Sequence, residues 1–503
     1  MTGGPELELS ALAPVAFTAI GAMLVLLGEV LLSRAKSFLG RPITDAYLTT
    51  LLGFFSIFWL ILTAVTAGQG LVTGSSEVFN LGHPMMRVDT FANFAILMIA
   101  IGGILTCALS VTYLTVLHVS HGEYFALLLL ATCGMILMVS SVDLMSLFLG
   151  LELMSIPIYA LAGFARRDLR SNESALKYFI TGSFASALLL YGMALVYGTT
   201  GHTSFEGIRG AFDVQGPVGL AGLALLLVGF AFKISAVPFH QWTPDVYEGA
   251  PTSVTGYMSV AVKATAFAAL IRILLEAFPE VQGRIEPVLF ALATLTVVVG
   301  NVMVVVQEDV KRLLAYSSVA HAGYLLIGLV AGTPEAIAGV LFYLLVYTFM
   351  NLGAFGVVAS LAQQGRDCER IEDFAGLARQ RPAVASLMTL FLVSLAGIPG
   401  TAGFVAKFLV FAPAVQEGEV LLAVIGVLAS VVSVYYYLRI PVVMWMRDPA
   451  PESVRPEPSG SEWLVLTLCA TAVLVLGIFP NLEVLEGQPL LDLARRSAAL
   501  LFG

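Results

Sequence analysis

From Ala11 to Pro480 the chain is written almost entirely in apolar runs of about 17 to 25 residues, parted by short polar or Gly- and Pro-containing breaks. Coiled as a helix, such a run crosses the ~30 Å hydrocarbon core of a bilayer, where a segment must satisfy its own backbone polar groups. The pattern predicts fourteen spans, near 11–33, 46–68, 88–116, 124–140, 142–165, 174–199, 217–238, 252–278, 287–307, 312–331, 335–361, 383–413, 419–446 and 461–480. The predicted fold class is an all-α polytopic membrane protein. The first run is preceded by Glu6 and Glu8 rather than by a basic region, so it reads as a retained helix and not as a signal peptide.

Two of the runs contain their own interruptions. The seventh, with GFAFKISAVPFHQW at 229–242, places Lys233 in an apolar setting and follows it with Pro238. The twelfth is too long for one simple helix and carries Gly397, Pro399, Gly400 and Gly403 in its middle. Both are predicted to be broken helices. Irregular backbone at membrane depth is tolerated only where protein or water satisfies it, so matching interruptions in two halves of a chain predict an internal repeat with a pathway at its interface.

Composition agrees with the pattern: 58% of the 503 residues are hydrophobic and 12% charged, which leaves no soluble domain of useful size. Basic residues orient the spans, because Lys and Arg gather in short cytoplasmic loops. Loops after odd-numbered spans hold Arg34, Lys36, Arg41, Arg166, Arg167, Arg170, Lys311, Arg312, Arg366, Arg370, Arg379, Arg381, Arg447 and Arg455. Loops after even-numbered spans hold only Arg87, Arg209 and Arg284, so both termini are expected to face outward. The formal charge of −9 comes with no basic stripe, which argues against nucleic-acid binding. Cys107, Cys133, Cys368 and Cys469 stand far apart with no C-x-x-C, and no phosphate-binding or dinucleotide-binding glycine motif occurs. Any redox cofactor is expected elsewhere.

Six basic residues remain inside the apolar runs: Lys177, Lys233, Lys263, Arg272, Lys407 and Arg439. Arg272 and Arg439 are expected to snorkel or anchor, and Lys177 lies near a helix end where it can do the same. Lys233, Lys263 and Lys407 lie deep, at about +2.5 to +3.5 kcal/mol each, or roughly 8–10 kcal/mol together. That matches a whole protein's net stability of about 5–15 kcal/mol, so something must offset it. Glu152, on the fifth run, is the one acidic residue deep in the central spans, with Glu29 nearer an end of the first. A plain stapling pair is the simpler reading of Glu152 and one lysine, but a single carboxylate leaves the other bases uncompensated. Making and breaking such a pair moves a lysine between proton-holding and proton-releasing states, which is a proton relay. His321, in AYSSVAHAGYLLIG, is a further candidate because imidazole passes a proton at either nitrogen, although a lone helical histidine is often only a packing residue. His118 and His121 have metal-compatible i, i+3 spacing, but they flank a loop, and two histidines alone do not make a metal site. Asp245 and Glu248, in QWTPDVYEGAP, suit either a proton entrance or a rigid turn.

Five blocks carry a resemblance: LFLGLELMSIPIYAL at 147–161, ALKYFITGSFASALLLYG at 175–192, AFKISAVPFHQWTPDVYEGAPTSVTGYMSVAVKATAF at 231–267, KRLLAYSSVAHAGY at 311–324 and AGFVAKFLVF at 402–411. Through them the chain resembles the antiporter-like membrane subunits of respiratory complex I, the proton-pumping NADH:quinone oxidoreductase, most closely the subunit N branch. The resemblance implies two inverted five-helix repeats with broken helices seven and twelve, and a chain of polar residues and water along the membrane midplane. It implies Glu152 and Lys233 as a coupled pair, Lys263 as central relay base and Lys407 as the lysine of the second broken helix, where a sister branch usually has glutamate. His321 and Lys177 are the lesser members of the candidate relay. One departure is GIPGTAGF at 397–404, where the family commonly has paired prolines. The implied organisation is 1–123 for the first three helices, 124–278 and 279–446 for the two repeats, and 447–503 for the last helix and an amphipathic tail.

The same resemblance implies no cofactor in this chain, with FMN and iron–sulfur clusters in other subunits of the complex. Expected partners are the neighbouring antiporter-like and small membrane-arm subunits and the lipid of a bacterial plasma membrane. A subunit of a multisubunit sodium/proton antiporter is the rival reading, and a photosynthetic or hydrogenase-linked relative differs only in its electron-input module.

Overall fold

The computed structural model describes residues 9–33, 37–38, 41–42, 44–80, 82–119, 121–363, 368–449, 456–485 and 487–502. Glu6, Glu8, Arg34, Lys36, Arg366 and Arg455, on which part of the end-and-loop reading rests, lie outside them. The helices run α1 (Ala13–Leu32), α2 (Asp45–Thr73), α3 (Thr90–Val116), α4 (Glu123–Ser140), α5 (Leu144–Ala162), α6 (Leu169–Thr200) and the short α7 (Phe205–Ala211). Next come α8 (Pro217–Lys233), α9 (Trp242–Gly249) and α10 (Thr252–Tyr257), which passes through a π-helical turn at Met258–Val262 into α11 (Lys263–Glu276). After these follow α12 (Gln282–Val305), α13 (Val310–Ala331), α14 (Pro334–Ser360), α15 (Leu377–Gln380), α16 (Pro382–Ala396), α17 (Ala402–Gln416), α18 (Val420–Met446), α19 (Gly460–Ile478) and α20 (Leu490–Ala499).

Among the described residues, twelve helices are long and apolar enough to cross a membrane. The seventh and twelfth predicted runs are each split, into α8 and α9 and into α16 and α17. Starts are set by side-chain caps: Asp143 accepts from the Met145 amide at 2.7 Å, Asp309 from Arg312 at 2.8 Å, and Ser459 with Glu462 forms a reciprocal box on α19. Among the described residues, strands are confined to three short antiparallel hairpins, including Glu77–Phe79 with Met86–Val88 and Glu483–Leu485 with Gln488–Pro489.

The bundle has a wholly enclosed centre and a lipid-like rim. Helices α10, α11, α13 and α14 are buried along nearly their whole length, whereas α1, α2, α6, α12 and α18 turn apolar side chains such as Met23, Phe54, Phe184, Val302 and Val431 outward. Helices α4 and α5 meet backbone to backbone. A Cβ on Gly134 would lie 2.2 Å from the Met154 amide nitrogen, and one on Gly150 would lie 2.6 Å from that of Met138. This contact seats α5, and with it Glu152, against the core. The tail forms the amphipathic α20, whose Leu490, Leu493, Ala494 and Ala498 pack on α3 and α14 while Ser497 donates to the Thr90 carbonyl at 3.1 Å.

Arg272 neither snorkels nor faces lipid, contrary to its sequence expectation. Its side chain is 1% exposed and pairs with Asp89 at 2.6 Å, beneath the Phe91 ring at 5.2 Å. Asp89 also binds Arg87 at 2.9 Å and caps α3 through the Ala92 amide. Burial pushes the Asp89 carboxyl up, but the two guanidiniums and the amide outweigh it and hold it below the usual range. Hydropathy missed the compensation because Asp89 lies 183 residues away in sequence. Arg439 does anchor: its guanidinium donates to the Val305 and Gln307 carbonyls at 2.7 and 3.1 Å, satisfying the end of α12.

Candidate functional site

The first break follows Lys233 directly, at the carboxyl end of α8. Ser235 adopts a left-handed backbone at φ 63, the Val237–Pro238 peptide is cis, and the chain resumes as α9 at Trp242. The polar groups freed by the break are re-satisfied from neighbouring elements: the Val237 amide donates to Thr296 at 3.0 Å and Thr243 donates to Ser235 at 2.8 Å. Trp242 stacks on Tyr178 at 4.4 Å, and its indole N–H donates to the Phe232 carbonyl at 3.1 Å. The break is therefore a packed structure that fixes Lys233 in place.

The Lys233 ammonium is buried and donates to Ser155 Oγ at 2.7 Å, with the Tyr159 and Tyr178 rings 5.4 and 5.6 Å away. The pair expected between Lys233 and Glu152 is not formed. Glu152 Oε1 is instead buried with no hydrogen-bond partner, one helical turn before Ser155 on α5. Sequence reasoning chose the partner of opposite charge; the structure interposes a hydroxyl from the same helix face.

Lys263 opens α11 directly after the π-helical turn and donates to the Ser318 carbonyl at 2.7 Å and to its hydroxyl. Local π-helical geometry often marks functional sites, and here it precedes the central base. His321 stands one turn beyond Ser318 on α13. Its Nδ1 lies 2.6 Å from Tyr343 Oη and its Nε2 lies 3.0 Å from Tyr437 Oη, which also bonds Ser317. Each ring nitrogen thus faces a hydroxyl that is able to donate or accept, so either tautomer is satisfied in place.

At the second break Gly397 is left-handed at φ 84, and a Cβ there would sit 2.9 Å from Lys407 Cδ. Lys407, on α17, donates to the Ala396 carbonyl at 2.9 Å and to Ser430 at 2.7 Å, with its ammonium 4.9 Å from the Tyr324 ring. Ala396 is the last residue of α16, so Lys407 answers the negative end of that half-helix. Lys233 occupies the equivalent end of α8 by being its final residue.

Lys177 lies outside this row. It pairs with Asp245 at 2.7 Å and Glu173 at 2.8 Å in an ion network at one end of the bundle. There Arg312 binds Asp245 at 2.8 Å and Glu248 at 2.7 Å, and Arg170 joins Glu248 at 2.8 Å to Glu369 at 2.7 Å. Burial pushes Asp245 up, but its bonds to Lys177 and Arg312 prevail and hold it below the usual value. At the neighbouring cap Asp309 the balance is reversed: burial, with Glu369 and Glu248 close by, pushes it up to about 6. A polar cleft of about 640 Å³, lined by Arg170, Glu248, Lys311 and Glu369, opens beside the network. QWTPDVYEGAP thus supplies both the carboxylates that tether α9 and one wall of the cleft.

Buried lysines at two interrupted helices, with a further lysine and a histidine buried against hydroxyls, mark an antiporter-like membrane subunit. The chain belongs to the NADH:quinone oxidoreductase/Mrp antiporter transmembrane family, whose model matches residues 141–433. A relative from Trichlorobacter lovleyi, NADH-quinone oxidoreductase subunit N, is 45% identical over 84% of this chain and 88% of its own length. Among solved structures, a chain of respiratory complex I from Thermus thermophilus with bound aureothin superposes with a TM-score of 0.77 at 33% identity, covering 93% of this chain and 98% of that one. A chain of the Mrp complex from a Dietzia species superposes with a TM-score of 0.85 at 22% identity over 99% and 98%, a likeness of fold alone.

Proposed function

We propose that this chain is a proton-translocating membrane-arm subunit of an NADH:quinone oxidoreductase. The observation that carries the reading is the row Lys233, Lys263, His321 and Lys407, buried deep in the bundle with each member hydrogen-bonded to a neutral oxygen. Relatives named for that enzyme at 45% identity, against 22% for the Mrp chain, favour it over a sodium/proton antiporter.

In this reading the two interrupted helices belong to inverted five-helix repeats, 124–278 and 279–446, and both termini face the outer side of a bacterial plasma membrane. Electron transfer takes place on FMN and iron–sulfur clusters of other subunits, and this chain binds no redox group. Quinone reduction shifts the field or packing at the first half, Lys233 exchanges partners, and a proton moves through Lys263 and His321 towards Lys407. Moving one charge against a 100 mV potential costs about 2.3 kcal/mol. Exchanging a carboxylate for a neutral acceptor beside a buried ammonium changes its energy by at least that order.

Lys263→Ala in the assembled complex, reconstituted in proteoliposomes and driven by NADH, is expected to remove most proton pumping; undiminished pumping would reject the relay. Sodium/proton exchange by the isolated chain without flavin or iron–sulfur partners would favour the antiporter reading instead.

A further inference from the structure

Helix α5 offers Lys233 more than one oxygen. Glu152, Ser155 and Tyr159 follow one another at i, i+3 and i+7, which places them on one face of the helix. Among the described residues Glu152 Oε1 and Tyr159 Oη are both buried without a hydrogen-bond partner, and of the three oxygens it is the middle one, Ser155 Oγ, that holds the ammonium. Ser155 spends its own proton on the Leu151 carbonyl, so towards Lys233 it is an acceptor only. Among the described residues the ammonium there is bonded to one neutral oxygen and lies over three aromatic rings, those of Tyr159, Tyr178 and Phe232, with no carboxylate bonded to it.

We infer that Ser155 is the alternative seat of the Lys233 ammonium, and that the relay is gated by exchange of Lys233 between Ser155 and the vacant Glu152 oxygen one turn away. The inference rests on the proposed proton-relay function and names a positioning residue for it. Seated on Glu152, the ammonium is charge-compensated and keeps its proton. Seated on Ser155, it has lost the anion, and the proton passes to the next base while the neutral amine stays hydrogen-bonded in place. The four-carbon stem pivots about a fixed point, because Lys233 closes α8 and the break behind it is packed by Trp242. Without the hydroxyl, the carboxylate is the strongest acceptor left on that face, ahead of the Tyr159 phenol, and the pair stays closed.

The test uses the assembled complex in proteoliposomes with NADH. Ser155→Ala is expected to lower proton pumping about tenfold, the value of one hydrogen bond to a charged group. Ser155→Thr, which keeps the hydroxyl, should pump several-fold faster than Ser155→Val, which has the same shape without it; equal rates for the two would overturn the inference. The serine effect should also shrink towards onefold in a Glu152→Gln background, because no closed pair remains to trap the lysine; an undiminished effect there would assign Ser155 a merely structural role. Lys233→Ala keeps the two levels separate. If it pumps normally the relay itself fails, whereas if it is inactive while Ser155→Ala matches the parent, only the seat is rejected.

Discussion

Lys233 and Lys407 make an instructive pair. Each is buried beside a helix interruption at the carboxyl end of a half-helix, and each lies near tyrosine rings. Their partners differ. Lys407 is held by a carbonyl, a hydroxyl and a ring, with no carboxylate bonded to it, while Lys233 has one hydroxyl and a carboxylate oxygen standing empty a turn away. In the proposed relay the Lys233 site would have two states and the Lys407 site one, so an electrostatic input would register at Lys233 and Lys407 would receive.

Five experiments bear on that contrast, in falling order of expected effect. Lys407→Ala is expected to abolish most NADH-driven pumping, like loss of the central base; retention of pumping would remove the second site from the path. Ser430→Asp would give Lys407 the carboxylate it lacks, and the closed pair is expected to slow turnover about tenfold; an unchanged rate would show that the missing anion has no consequence. Gly150→Ala drives a methyl into the Met138 backbone and should destabilise the α4–α5 contact by about 1–3 kcal/mol, read as faster thermal inactivation of the complex. Gly397→Ala, strained at φ 84 and crowding Lys407, should cost about 1–2 kcal/mol, again read as thermal inactivation.

The smallest effect concerns Asp309, the α13 cap beside the ion network. Its folded value of about 6 lies above the 3.8 of a free aspartate, so ionising it opposes folding. That cost is absent below about pH 4, grows as pH rises through about 6 and is constant above. Asp309→Asn should flatten this fall in thermal stability between about pH 4 and 7, and an unaltered profile would place the titration elsewhere.

Much of this architecture was legible from periodicity. Spans, both breaks and the deep bases are local properties of the chain, because an ammonium in an apolar run is conspicuous wherever the run folds. Partners were not legible. Ser155, Ser318 and Ser430 are ordinary helical serines in sequence, and Tyr343 and Tyr437 read as apolar bulk; only their placement against a lysine or imidazole gives them a role. The Glu152–Lys233 expectation shows the limit well, since charge complementarity selects the strongest partner and not the one occupied. Arg272 shows the converse limit: its partner is an anion, but one on a helix start far away in the chain.

Helix α13 carries Ser318 for Lys263, His321 for two tyrosines and Tyr324 beneath Lys407, all on one buried rod. A slip of that rod by a single residue, about 100° of rotation, would swing every one of these contacts away together. If the proposed relay holds, its central and distal stations share one mechanical shaft, and a jam in its packing would silence both at once without touching either base.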